Sequence, residues 1–180
     1  MMMLQELDSS FQAVLLVGYH SGSGAGASPL EHTMSTDVTS ILVNGQPISE
    51  FMIDLYNCAY HGVPLVFVAG DNGLCESVKQ LNPHITTVAV KECKGDSTIN
   101  LHPQVAAERI RESSAQALQG DLQACRVELP AHFKVEVAYH SQAKAYRFGF
   151  FPGARQTGPL TVQFETHDYF EVLRFFLFAL

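Results

Sequence analysis

His20, His32 and Glu50 are the side chains best placed to do chemistry in this sequence. Imidazole and carboxylate together make either a metal site or an acid–base pair. His20 ends the run Leu16-Val17-Gly18-Tyr19-His20 and is followed by glycines. A neutral imidazole there is open to a metal, and a hydrogen-bonded core histidine fits the same position. His32 lies just beyond a Gly-rich segment, residues 21–29, where a loop histidine is either catalytic or simply solvated. Glu50 follows Ser49 and is either a ligand or a first-turn glutamate favoured by the helix dipole. His61, His84, His102, His132, His140 and His167 show no pairwise metal spacing and read as structural or surface residues. Neither H-E-x-x-H nor G-x-S-x-G occurs. The residues alone therefore predict a cleft holding histidine and carboxylate, and no more specific reaction.

The Gly-rich segment lacks Gly-Lys-Ser/Thr, and Pro29 blocks the immediate helix that a nucleotide site needs. A mobile active-site loop is the functional reading, and a plain linker the alternative.

These residues need a scaffold. Short runs at 13–17, 64–68 and 85–90 are apolar and rich in branched side chains, as expected of parallel strands covered on both faces. Ser49 is placed to cap a helix from Glu50 to Tyr60 that buries Phe51, Leu55 and Cys58 and stops at Gly62. Asp71 is placed to cap a second helix that ends before Asn82-Pro83. A hairpin is predicted at 39–43 with Asn44-Gly45 as its turn. A longer helix starts near Pro103 and runs to Gly120.

Beyond residue 120 the runs at 133–137 and 161–165 alternate, predicting half-exposed antiparallel strands. A closing helix over 168–180 is expected to share one apolar face among Phe170, Leu173, Phe176 and Leu177. The predicted class is α/β: a parallel sheet with flanking helices in three layers over residues 1–120, then a smaller α+β part over 121–180. In such sheets ligands bind at the carboxyl ends of strands, where His20 falls.

The 180 residues carry a net charge of −7 with 47% hydrophobic residues, which argues against nucleic acid or an anionic membrane surface as partner. Charged residues are only 16%, which hints at surface covered by other subunits. Cys58, Cys75, Cys93 and Cys125 form no C-x-x-C pair and read as buried free thiols. The amino terminus lacks the basic and long apolar regions of a signal peptide, and no run is long enough to span a bilayer, so the predicted compartment is the cytoplasm.

The blocks Leu16-Val17-Gly18-Tyr19-His20, Glu31-His32-Thr33-Met34 and Val43-Asn44-Gly45-Gln46-Pro47-Ile48-Ser49-Glu50 resemble the zinc-dependent D-aminopeptidase family of dipeptide-transport operons. The likeness continues through residues 62–71, 86–91 and 159–165. It implies a zinc hydrolase that releases D-amino acids such as D-alanine from the amino terminus of short peptides. It further implies two zinc ions per site, with His20 and Glu50 as zinc ligands, His32 as catalytic base or nucleophile, and a decameric ring of subunits. Family members open with a strand ending in Asp-x-Glu-Gly and supply a further histidine. This sequence aligns from just before the His20 strand, so two of the family's five ligands, His20 and Glu50, are expected in it. The resemblance thus implies a truncated, impaired enzyme, one half of a split enzyme completed by a second chain, or a non-catalytic oligomer-forming or peptide-binding remnant.

Overall fold

The computed structural model describes residues 2–180. In chain order the elements are β1 (Val14–Tyr19), β2 (Val38–Val43), β3 (Gln46–Pro47), α1 (Glu50–His61), β4 (Leu65–Asp71), α2 (Asn72–Leu81), β5 (Thr86–Lys94), β6 (Ser97–Asn100), α3 (Pro103–Gln119), β7 (Phe133–Tyr139), α4 (Gln142–Phe148), β8 (Ala154–Gly158), β9 (Thr161–Thr166) and α5 (Tyr169–Ala179). They form two sheets. One has the order β1-β4-β5-β6, parallel across β1, β4 and β5 and antiparallel at β6; the other has the order β3-β2-β7-β9-β8 and is antiparallel throughout. The class is α/β, as expected.

Position in the sheet decides burial. β4 is central, and all seven of its residues are buried. β1 is at an edge, with only Val14 and Leu16 buried and Val17 58% exposed. The expectation that the first and third runs are covered on both faces is corrected accordingly: β1 is an edge strand, and β5, which meets β6 only over Lys91–Lys94, buries Val88 alone.

The second sheet takes β2 and β3 from before residue 120 and β7, β8 and β9 from after it, because β2 pairs antiparallel with β7. α1 lies at the junction of the two cores. Its Phe51, Leu55 and Cys58 pack with β1 and β4, and its Ile53 packs with β7, β9 and α5. Ser49 accepts a hydrogen bond from the Met52 amide, and Gly62 closes the helix at φ 70°, a conformation costly for any residue with a Cβ.

Asn44 and Gly45 turn the β2–β3 hairpin at φ 52° and 79°. The Asn44 side chain also donates to the His132 carbonyl at 2.9 Å and accepts from the Lys134 amide at 2.8 Å, pinning the hairpin to the start of β7. Asn44→Ala is expected to cost about 1–2 kcal/mol, from left-handed backbone and lost hydrogen bonds together. Urea unfolding checks this, with a lower midpoint at unchanged slope.

α5 corrects another expectation. Tyr169, Val172, Leu173, Phe175, Phe176 and Ala179 are its buried residues, whereas Phe170 is 37% and Leu177 53% exposed. A helix apolar on nearly every side does not reveal which arc meets the sheet.

Candidate metal centre

The carboxyl end of β1 is shaped by two glycines. Gly18 has φ 85°, and the β1–β4 register breaks between Val17 and Tyr19. Such a bulge re-aims the side chains that follow it, here Tyr19 and His20. Opposite, a Cβ on Gly70 would lie 2.2 Å from the Tyr19 carbonyl oxygen, so β4 approaches this closely only as glycine.

Asp71, the last residue of β4, is fully buried and ties the rim together. Its Oδ2 accepts from the Ser21 amide at 2.7 Å; its Oδ1 accepts from the Ser21 hydroxyl at 2.6 Å and caps α2 through the Leu74 amide at 2.8 Å. The expected cap on α2 is present. The hold on Ser21, one residue past His20, is a second role that spacing did not reveal.

The Gly-rich segment is folded onto the helix amino termini. Cβ atoms added at Gly22 and Gly73 would meet Ser49 at 2.8 Å and Ala27 at 2.3 Å, respectively. Glu31 accepts from the Gly26 and Ala27 amides at 2.6 and 3.3 Å, and buried Thr33 accepts from the Ser23 amide at 3.1 Å. A groove of about 790 Å³ adjoins this segment, bounded by Ser21, Gly24, Ser49, Met52, Tyr56 and Ser77.

His20, His32 and Glu50 converge at this rim, one ligand atom from each lying within 4.8 Å of the others. His20 Nε2 is 3.6 Å from Glu50 Oε2, and His32 Nε2 is 3.5 Å from Glu50 Oε1. The imidazole centroids are 4.4 Å apart. His20 Nδ1 lies 3.0 Å from the Ser21 carbonyl and His32 Nδ1 2.8 Å from the Leu30 carbonyl. A carbonyl only accepts, so each Nδ1 donates its proton there and each Nε2 is turned toward the carboxylate. This second-sphere arrangement is the one metal-binding histidines adopt.

Glu50 Oε1 also accepts from the Met34 amide at 2.8 Å, and Met34 is held at φ 64° to aim it. Left-handed backbone at a methionine costs on the order of 1 kcal/mol, so the carboxylate is oriented at some expense of stability. Among the described residues no lysine or arginine pairs with Glu50. Two imidazoles and a carboxylate suit a borderline cation such as zinc.

Beneath Glu50, α1 carries two further polar residues on the same face, Asp54 and Asn57, both buried. Tyr19 donates to Asp54 Oδ2 at 2.5 Å. Burial pushes the Asp54 carboxyl up to about 6; the Tyr19 hydrogen bond opposes this, and the Glu50 charge adds to it. Burial, with the Asp54 charge behind it, raises the Tyr19 phenol well above its ordinary range and the Cys58 thiol to about 12. Neither Asn57 amide atom has a hydrogen-bond partner. Asp54 and Asn57 escaped sequence reasoning, although the i, i+4, i+7 spacing from Glu50 is visible in the chain. All four cysteines are free; Cys58, Cys75 and Cys125 are buried, and Cys93 is partly exposed.

A mostly parallel sheet with two histidines and a glutamate gathered at its carboxyl rim, beside an antiparallel sheet, defines an α/β protein with a candidate metal site. Residues 1–178 match the family model described as D-aminopeptidase, and the chain belongs to that family. It is 29% identical over 171 residues to a D-aminopeptidase of Bacillus subtilis strain 168, covering 94% of this chain and 62% of that protein. It also superposes on the structure titled Zn-dependent D-aminopeptidase DppA from Bacillus subtilis, a self-compartmentalizing protease. There the TM-score is 0.90 and the identity 27%, covering 98% of this chain and 65% of that one. The chain thus spans a little under two thirds of the length of these relatives.

Proposed function

We propose that this chain carries a zinc site of a D-aminopeptidase that releases D-amino acids, D-alanine among them, from the amino terminus of short peptides. The observation that carries the reading is the convergence of both Nε2 atoms on the Glu50 carboxylate. His20 and Glu50 are the zinc ligands, and His32 transfers a proton to or from the scissile amide. Zinc bound there would supply Lewis acidity for the carbonyl and an acidified water. His32 suits proton transfer because it sits on a loop with its side chain 34% exposed, open to a peptide entering from solvent.

The family's second zinc requires carboxylates beyond those of this chain, so full turnover draws on a further segment, in the same polypeptide or in a second one. The working unit is a homo-oligomer, a ring of ten on the family's pattern, in the cytoplasm. Tyr146, Phe150, Leu177 and Phe178, each more than half exposed, supply apolar surface for such packing. No described helix is long and apolar enough to cross a membrane.

The test is hydrolysis of D-alanyl and L-alanyl dipeptides by the zinc-loaded chain, alone and mixed with the amino-terminal segment of a family member. Expected is release of D-alanine, lost on chelation, restored by zinc and absent from His32→Ala. Peptide binding with no release in either format would identify a non-catalytic remnant and overturn the proposal.

A further inference from the structure

We infer that His132, His167 and Glu165 bind a transition-metal ion of their own on the outer face of the antiparallel sheet, separate from the rim cluster. The inference does not rest on the proposed function and uses none of its residues.

Sequence spacing hides this group, because strand pairing assembles it. β7 and β9 run antiparallel, with Phe133 opposite Thr166 and Lys134 opposite Glu165. One step further in the same register, His132 stands opposite His167. Side chains alternate along a strand. Phe133, Val135 and Val137 enter the core, so His132 and Lys134 take the other face, with Glu165 and His167 across from them. The two imidazole centroids are 4.8 Å apart. Cross-strand neighbours at that distance can share one ion.

Two of the three groups are already oriented by neighbours. His167 Nδ1 lies 2.8 Å from the Ala131 carbonyl, which only accepts, so Nδ1 donates there and Nε2 of the neutral ring is left for a ligand bond. A backbone carbonyl on the far nitrogen is the usual second-sphere partner of a metal-binding imidazole. Glu165 Oε1 lies 3.5 Å from the Arg155 guanidinium, whose Nε donates to the buried Gln163 side chain at 3.0 Å. The carboxylate is thus steadied through one oxygen and offers the other. That oxygen, Oε2, is 3.5 Å from His132 Nε2, beyond the roughly 2.7–3.2 Å of a well-made N–H···O bond. Among the described residues only the rim cluster has three ligand atoms already within 4.8 Å of one another. Here the last side closes when His132 and Glu165, 43% and 44% exposed, turn toward His167; no packing opposes such a rotation.

The surroundings select the kind of ion. Arg155 and Lys134 flank the group, so a hard cation that relies on net negative charge, magnesium or calcium, is disfavoured. Imidazole nitrogen instead suits zinc, nickel and copper. The ion would clasp the start of β7 to the end of β9. Asn44 already holds the His132 carbonyl at 2.9 Å, and Asp168, next to His167, caps α5 through the Phe170 amide at 2.9 Å. Hairpin, sheet and closing helix therefore meet at the clasp. Binding there raises stability by mass action, because the unfolded chain does not hold the three side chains together.

The experiment uses the untagged, metal-stripped chain carrying His20→Ala and His32→Ala, which removes both imidazoles from the rim. It is titrated with Ni²⁺ and Zn²⁺ by calorimetry and melted with and without each ion. His132→Ala, His167→Asn, Glu165→Gln and, as a control, the exposed His140→Ala are then added one at a time. Asparagine at 167 can still donate to the Ala131 carbonyl but has no Nε2, which separates a ligand from a structural side chain. Expected is one ion per chain and a higher melting temperature with the ion present. His132→Ala and His167→Asn should each weaken binding by more than about tenfold, the least that loss of even a second-sphere partner costs. Glu165→Gln should weaken it less, and His140→Ala should leave it unchanged. Metal-free melting as in the parent shows that affinity, and not the fold, was lost. No ion bound by the rim-silenced chain would overturn the inference, as would loss in only one of the two histidine variants or binding that follows His140. Hydrolysis plays no part in the readout, so either outcome leaves the proposed function to its own test.

Discussion

Asp71→Ala is expected to destabilise the chain by about 3–5 kcal/mol, a melting-temperature drop on the order of 10 °C for a chain of this size. The carboxylate is fully buried and accepts three hydrogen bonds, two from Ser21 and one from the Leu74 amide at the start of α2. Removing it strands two backbone N–H groups and a hydroxyl where water does not reach, each costing about 1–3 kcal/mol. The effect extends to the metal centre, because Ser21 also supplies the carbonyl that fixes the His20 tautomer. Zinc affinity should therefore fall together with stability. Ser21→Ala removes only the hydroxyl bond and should cost about 1 kcal/mol, with affinity nearly kept. Urea unfolding at pH 7 and zinc calorimetry on both variants make the comparison. A loss of only about 1 kcal/mol in Asp71→Ala, with zinc affinity kept, would mean that Asp71 acts only as a helix cap.

The importance of Asp71 shows where sequence reasoning reached and where it stopped. Features written in adjacent residues were legible: Ser49 and Asp71 as caps, Gly62 as helix end, Asn44-Gly45 as a hairpin turn, and three parallel strands from three apolar runs. What depends on distant partners was not. β2 pairs with β7, about ninety residues away, and nothing in either run names the other. β8 contains no fully buried residue and exists because β9 offers it an edge, so it carries no apolar pattern to read. α4 is short and buries only Ala145, leaving no periodic stripe. The candidate site was legible through family likeness more than through spacing, since His20, His32 and Glu50 lie on separate elements. Their tautomers, the Met34 amide on Glu50 and the Ser21 clamp arise only once the loop folds onto α1 and α2.

Asp54→Asn is expected to stabilise the metal-free chain at pH 7 by about 2–3 kcal/mol, an unusual sign for a change at a fully buried polar residue. The Asp54 carboxyl stands at about 6 in the folded chain against 3.8 in its ordinary state, chiefly because burial penalises its charge. Between those values the native chain holds a proton that the unfolded chain has released. Stability from this group is therefore greatest at low pH and is lost as pH rises from about 4 through 6. Above 6 the penalty is complete, and at 1.36 kcal/mol per unit the difference amounts to about 3 kcal/mol. Asparagine carries no charge to desolvate and can still accept from Tyr19, though a neutral acceptor holds that phenol about 1 kcal/mol less well. The stabilisation should shrink as pH falls and vanish near pH 4, which denaturant midpoints taken across that range would trace. The carboxylate's presence at this cost makes sense beside a cation site. Asp54 lies one helical turn from Glu50, and its negative charge, poorly screened inside the fold, would favour an ion held by His20 and Glu50. Asp54→Asn should thus gain stability and lose zinc affinity in the same molecule. A variant less stable at pH 7, or a stability difference flat between pH 4 and 7, would show that the buried charge is compensated in some other way.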